Sequence, residues 1–105
     1  IMQLDLSDLE SVKTFAKSFK NKYAQLDVLI NNAGVLIYSG KKNKEGVELQ
    51  LATNHLGHFL LTTSLIDLLE QSAEPRIVNV SSKAHYRAKI RFDTLAVTFH
   101  RDKSL

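Results

Sequence analysis

Asp5, the run Asn31-Asn32-Ala33-Gly34, Asn54 and the pair Ser81-Ser82 are the residues of this chain best suited to chemistry on a ligand. A carboxylate accepts hydrogen bonds, an amide both donates and accepts them, and a serine hydroxyl can steady a developing charge. Ala33 and Gly34 add small side chains that let a backbone approach a flat ligand closely. Three of the four groups directly follow a short apolar run: residues 1–4 before Asp5, Val28-Leu29-Ile30 before Asn31, and residues 77–80 before Ser81. Runs this short, rich in Val, Ile and Leu, read as strands of a parallel sheet. Ligands of open parallel α/β sheets bind outside the carboxyl ends of the strands, so these groups are expected to face one crevice.

The segments between the strands read as helices. Ser7 and Glu10 have the spacing of a capping box, and Leu9, Val12, Phe15, Ala16, Phe19 and Tyr23 recur in steps of three or four as one apolar stripe. Lys13, Lys17, Lys20 and Lys22 lie off that stripe. Residues 38–46 are polar and read as a surface loop, followed by a proline-free helical pattern over 47–70. Asn54 falls inside that helix, where a buried amide needs polar partners. Pro75 ends the loop that feeds the third strand. The order strand, helix, strand, helix, strand predicts an open α/β sheet with right-handed crossovers. Beyond Phe92 the pattern fades, and residues 93–105 show little periodicity.

With 105 residues, 44% of them hydrophobic and 24% charged, the chain holds one small globular domain at most. A net charge of +3 without a basic stripe or interleaved aromatics gives no footing for nucleic acid. The sequence has no cysteine, which excludes disulfides and thiolate metal sites. His55 and His58 lack a third ligand in view, so no metal is expected there and both read as packing or hydrogen-bonding residues. No apolar stretch is long enough for a membrane span, and the opening residues carry no basic leader, so the chain is expected to begin inside a longer protein.

Four motifs in register resemble the short-chain dehydrogenase/reductase family. Asn31-Asn32-Ala33-Gly34 after a Leu-Ile strand looks like its N-N-A-G signature. Thr53-Asn54-His55-Leu56-Gly57-His58-Phe59 resembles the segment carrying the family's catalytic asparagine. Arg76-Ile77-Val78-Asn79-Val80-Ser81-Ser82 looks like the strand that delivers its catalytic serine, and Asp5-Leu6-Ser7 like the turn that borders the adenine. The run from His55 to Thr62 and Ser81-Ser82-Lys83-Ala84-His85 are most similar to the retinol dehydrogenase-like branch.

The resemblance implies a partial Rossmann-type, doubly wound parallel sheet, a βαβαβ segment within one NAD(P)-binding domain spanning residues 1–105. It implies Asn54 and Ser82 as catalytic residues, and Asp5, Leu6, Asn31, Ala33 and Gly34 as cofactor-binding residues. The implied cofactor is NADP, with NAD as the alternative, and the implied substrate a lipophilic, retinol-like alcohol with its aldehyde or ketone. A homodimer through the helix at 47–70, and a location at the endoplasmic reticulum membrane or in mitochondria, are implied in the same way. The four glycines cannot make the family's glycine-rich phosphate turn, and no Tyr-x-x-x-Lys follows Ser82, since the lysine after Tyr86 falls at i+3. The 105 residues alone are therefore expected to be inactive and only marginally folded, with residues 1–4 lacking a strand neighbour.

Overall fold

The computed structural model describes residues 1–37 and 39–93. The final residues of the sequence, whose periodicity is weak, lie outside that range from position 94 on. Helix α1, Leu9–Lys22, opens on Asp8 and not on Ser7. The Asp8 carboxylate accepts the Glu10 N–H at 3.1 Å, while the Ser7 hydroxyl donates to Asp5 Oδ1 at 2.7 Å. The expected capping box is thus replaced by an aspartate turn that leads into an aspartate cap. The physical reason is that Asp5 competes successfully for the Ser7 side chain.

Strand β1, Val28–Asn31, and strand β2, Arg76–Asn79, pair in parallel with Leu29 opposite Ile77 and Asn31 opposite Asn79. The second strand is one residue earlier than the apolar run suggested, because Arg76 N–H finds the Asp27 carbonyl at 2.9 Å. Residues 1–4 form no strand. Strand geometry is held by hydrogen bonds to a neighbour, and the described residues offer this segment none.

Between the strands the helical pattern is composite. A short α2, Leu49–Leu51, runs into a π-turn, Ala52–Leu56, and then into α3, Gly57–Glu70. Its start is fixed by Glu48, whose carboxylate accepts the N–H groups of Gln50 at 2.9 Å and Leu51 at 2.7 Å. The core lies where α1 crosses α3: Val12 and Ala16 meet Leu61, Leu65 and Leu68, with Leu6, Phe15, Phe19 and Leu29 around them. Lys20 and Asp67 bridge the two helices at 3.1 Å on the exposed rim.

Gly57 sits where the Leu6 backbone presses on α3. A methyl group there would run into the Leu6 carbonyl oxygen and come within 3.0 Å of Leu6 Cβ. That contact brings the Asp5 turn onto the same helix that carries Asn54.

Candidate functional site

The end of β1 is a polar junction. Asn31 is 6% exposed, and its Nδ2 donates to Thr62 Oγ1 at 3.0 Å and to Asn79 Oδ1 at 2.8 Å. Its Oδ1 lies 3.2 Å from His58 Nδ1, and the other ring nitrogen of His58 donates to the Ala33 carbonyl at 2.8 Å. One amide thereby ties together both strand ends and α3. A buried amide is tolerated because both hydrogens of its Nδ2 are taken.

Asn54 stands in the π-turn, and its side chain is exposed, not buried as its place in a helix suggested. Its Oδ1 accepts the Val35 N–H at 2.8 Å and its Nδ2 donates to the Val35 carbonyl at 2.8 Å. The pair of bonds is the one a neighbouring strand would make. Each amide atom keeps a second hydrogen-bonding position, which leaves Asn54 able to hold a water. π-turns are rare and recur at functional sites. Here the Thr53 hydroxyl donates to the Leu49 carbonyl at 2.8 Å, which loosens the regular helix ladder just before the turn widens.

Asn31, Asn54, Asn79 and Ser81 line one open hollow of about 350 Å³, together with His55, His58, Phe59, Thr62 and Val80. Ser82 follows at its edge. The Ser82 hydroxyl accepts the Ala84 N–H at 3.2 Å and caps a 3₁₀ turn, Lys83–Arg87. Ala33 and Gly34 are exposed beside this hollow. Gly34 does not have a positive φ, and a Cβ built on it meets Asn54 Oδ1 at an ordinary 3.6 Å. Neither backbone conformation nor packing within the chain explains the glycine, which is consistent with a backbone kept bare for a ligand.

Asp5 and Leu6 are held apart from the hollow. Asp5 Oδ1 accepts both the backbone and the hydroxyl hydrogens of Ser7, while Oδ2 has no partner among the described residues, and Leu6 packs on the core. A larger shallow depression of about 540 Å³, between Met2-Gln3 and one face of α1, is lined by none of the candidate site residues. Among the described residues no group of three His, Cys, Asp or Glu side chains is placed to hold a metal. Lys42 does stand four residues after Tyr38, a Tyr-x-x-x-Lys spacing passed over in the sequence, but it precedes Asn54 and Ser82 and Tyr38 lies outside the described residues.

Sequence reasoning missed His58, Thr62, Asn79 and Gln50 as partners of the site. The available signal was polar residues four apart, at 50, 54, 58 and 62, on one side of the helical stretch.

A parallel sheet edge that gathers an asparagine–glycine turn, a helix asparagine and a serine pair defines a class. The chain belongs to the short chain dehydrogenase family, whose profile matches residues 1–93. Within that family it falls in the retinol dehydrogenase-like branch. It is 50% identical over 95 residues to retinol dehydrogenase 12 of Bos taurus and to retinol dehydrogenase 11 of Homo sapiens, covering 90% of this chain and 30% of each relative. Among solved structures, an uncharacterized protein from Mycobacterium paratuberculosis superposes with a TM-score of 0.77 at 42% identity, over 90% of this chain and 32% of that one. The NADP active-site complex of RhlG from Pseudomonas aeruginosa gives 0.67 at 27% identity, over 86% and 38%. The chain thus spans about a third of the length of the proteins it matches.

Proposed function

We propose that these residues form the middle of a nicotinamide-dependent oxidoreductase that interconverts a lipophilic, retinol-like alcohol with its aldehyde or ketone, using NADP(H) in preference to NAD(H). The observation that carries the reading is the delivery of Asn31 to Gly34, Asn54 and Ser81-Ser82 to one sheet edge. The branch relatives are retinol dehydrogenases, and one structural neighbour is an NADP complex, which supports the substrate class and the cofactor.

The bare Ala33-Gly34 backbone fits the adenosine half of a dinucleotide, with Asn31 holding the turn from behind. Asp5 and Leu6 would hold the adenine end, with the Asp5 carboxylate accepting from its amino group. When bound, the dinucleotide supplies or takes the hydride. Ser82 donates its hydroxyl hydrogen to the substrate oxygen and steadies its charge. Asn54 keeps a water in place for proton transfer through its unused hydrogen-bonding positions. No Tyr-x-x-x-Lys follows Ser82 in these 105 residues, so by themselves they are expected to show no turnover.

A second role, self-association through the long helix, is favoured by Phe59 and Ile66, apolar side chains left exposed on α3. It is compatible with the enzymatic reading, since members of one family pair symmetrically through shared faces.

The test is retinal reduction by the full natural chain with NADPH, beside Ser82→Ala and Asn54→Ala. Loss of a positioned hydroxyl at a developing charge costs about 10²-fold or more in kcat. Turnover that survives both substitutions would sink the assignment of these two residues. Absence of turnover on any retinoid, with dinucleotide still bound, would sink the substrate class.

A further inference from the structure

The four polar side chains spaced along the helix do more than satisfy one another. Gln50 Oε1 accepts the Ile37 N–H at 2.9 Å, Asn54 takes both backbone groups of Val35, His58 donates to the Ala33 carbonyl, and Thr62 accepts from the side chain, not the backbone, of Asn31. Helix positions 50, 54, 58 and 62 therefore meet chain positions 37, 35, 33 and 31, in opposite directions. The match is metric. Four residues of helix rise about 6 Å, and two residues of extended chain advance about 6.6 Å. A regular α-helix would turn each successive rung away by about 40°. The π-turn between Leu51 and Gly57 unwinds the helix and takes back part of that drift.

We propose that Gln50 and His58 are positioning residues, the outer rungs of a side-chain ladder by which the helix acts as a surrogate strand for residues 33–37. The ladder fixes the register in which the Ala33-Gly34 backbone is presented beyond the end of β1. Beyond β1 the chain leaves the sheet, and the described residues provide it with no strand partner. Without the rungs, Val35 and Ile37 would lose the groups that hold their N–H bonds, and Ala33 would lose the donor on its carbonyl. A shift of one residue would bring Gly34 and Leu36 onto the rungs and turn Ala33 away. The consequence for dinucleotide binding rests on the function proposed above; the ladder itself does not.

The experiment is amide hydrogen exchange and NADPH binding on the full chain, using pairs of variants that differ only in the hydrogen bond. Gln50→Glu keeps an acceptor for the Ile37 N–H, and Gln50→Leu removes it. His58→Gln keeps a donor for the Ala33 carbonyl, and His58→Leu removes it. Exchange at Ile37 is expected to rise about tenfold in Gln50→Leu and to stay within about threefold of the parent in Gln50→Glu. The Kd for NADPH is expected to rise about tenfold in His58→Leu and much less in His58→Gln. Val12 and Ala16 amides in α1 report global opening and are expected not to follow either pair. Equal behaviour within each pair, or exchange in α1 that rises in step with Ile37, would overturn the ladder. If the exchange pattern holds while the parent chain binds no dinucleotide, the proposed function fails and the ladder stands.

Discussion

The two glycines on the helix and turn separate packing from binding at the scale of single residues. Gly57 is demanded by the protein itself, since any Cβ there meets the Leu6 backbone. Gly57→Ala is expected to destabilise the chain by about 2 kcal/mol or more, measured by denaturant unfolding, because backbone cannot move aside as a side chain can. A Cβ on Gly34 meets only the Asn54 side chain, at an ordinary contact distance, so Gly34→Ala is expected to change stability by less than about 0.5 kcal/mol while weakening NADPH binding. Equal losses of stability at the two sites would contradict the distinction. Asn31→Ala leaves Thr62 and Asn79 short of a partner and is expected to cost about 1–3 kcal/mol in the same measurement. The identities of the site residues were legible in the sequence because they form motifs. Their partners were less so: a hydrogen bond between Asn31 and Asn79 spans 48 positions and depends on strand register.

The helical segments and two of the three expected strands were readable from apolar periodicity, while residues 1–4 form no strand and the element ends were not readable. Periodicity reports which face is buried, whereas a helix end is decided by competition among nearby polar groups. Asp8 won over Ser7 because Asp5 already holds the Ser7 hydroxyl. The π-turn left no trace in the apolar pattern, since the residues on either side of it keep their faces. Asp8 has a further consequence for α1. The hydrogen bond from Lys44 holds the Asp8 carboxyl below its ordinary range, and Lys20 does the same to Asp67 where α1 meets α3. For a carboxylate lowered on folding, the stabilisation is complete above the unfolded-state value near 3.8 and is lost as pH falls through the folded value. Thermal melts are therefore expected to show a midpoint that falls below about pH 4. Asp8→Asn and Asp67→Asn should flatten that fall and added salt should shrink it, since both pairs are exposed. A fall of the same size in the double variant would assign the acid sensitivity elsewhere.

At the scale of the whole molecule, the described residues cover one face of β1 and leave β2 exposed on both faces. Leu29 and Asn31 face α1 and α3, while Val28, Ile30, Val78 and Val80 lie bare, with Ile30 60% and Val80 57% exposed. Parallel sheets are normally covered on both faces. The 105-residue polypeptide alone is thus expected to bind a hydrophobic dye and to melt broadly in circular dichroism. A sharp, cooperative transition without dye binding would show that this face is protected in some other way. In the sequence, β1 is a continuous Val-Leu-Ile run, which marks a strand meant for cover on both sides. What supplies the cover is not written in these residues, because burial is a property of the packed pair and not of either partner.

The family assignment, the sheet edge and the bare Ala33-Gly34 backbone converge on one physical claim, that a dinucleotide lies against the end of β1. The most direct measurement is the structure of the full natural chain with NADP(H) bound. The adenosine half is expected against Ala33 and Gly34, the adenine amino group on Asp5, and Ser82 and Asn54 on the nicotinamide side of the hollow. A dinucleotide bound elsewhere, with the Ala33-Gly34 backbone untouched, would contradict it.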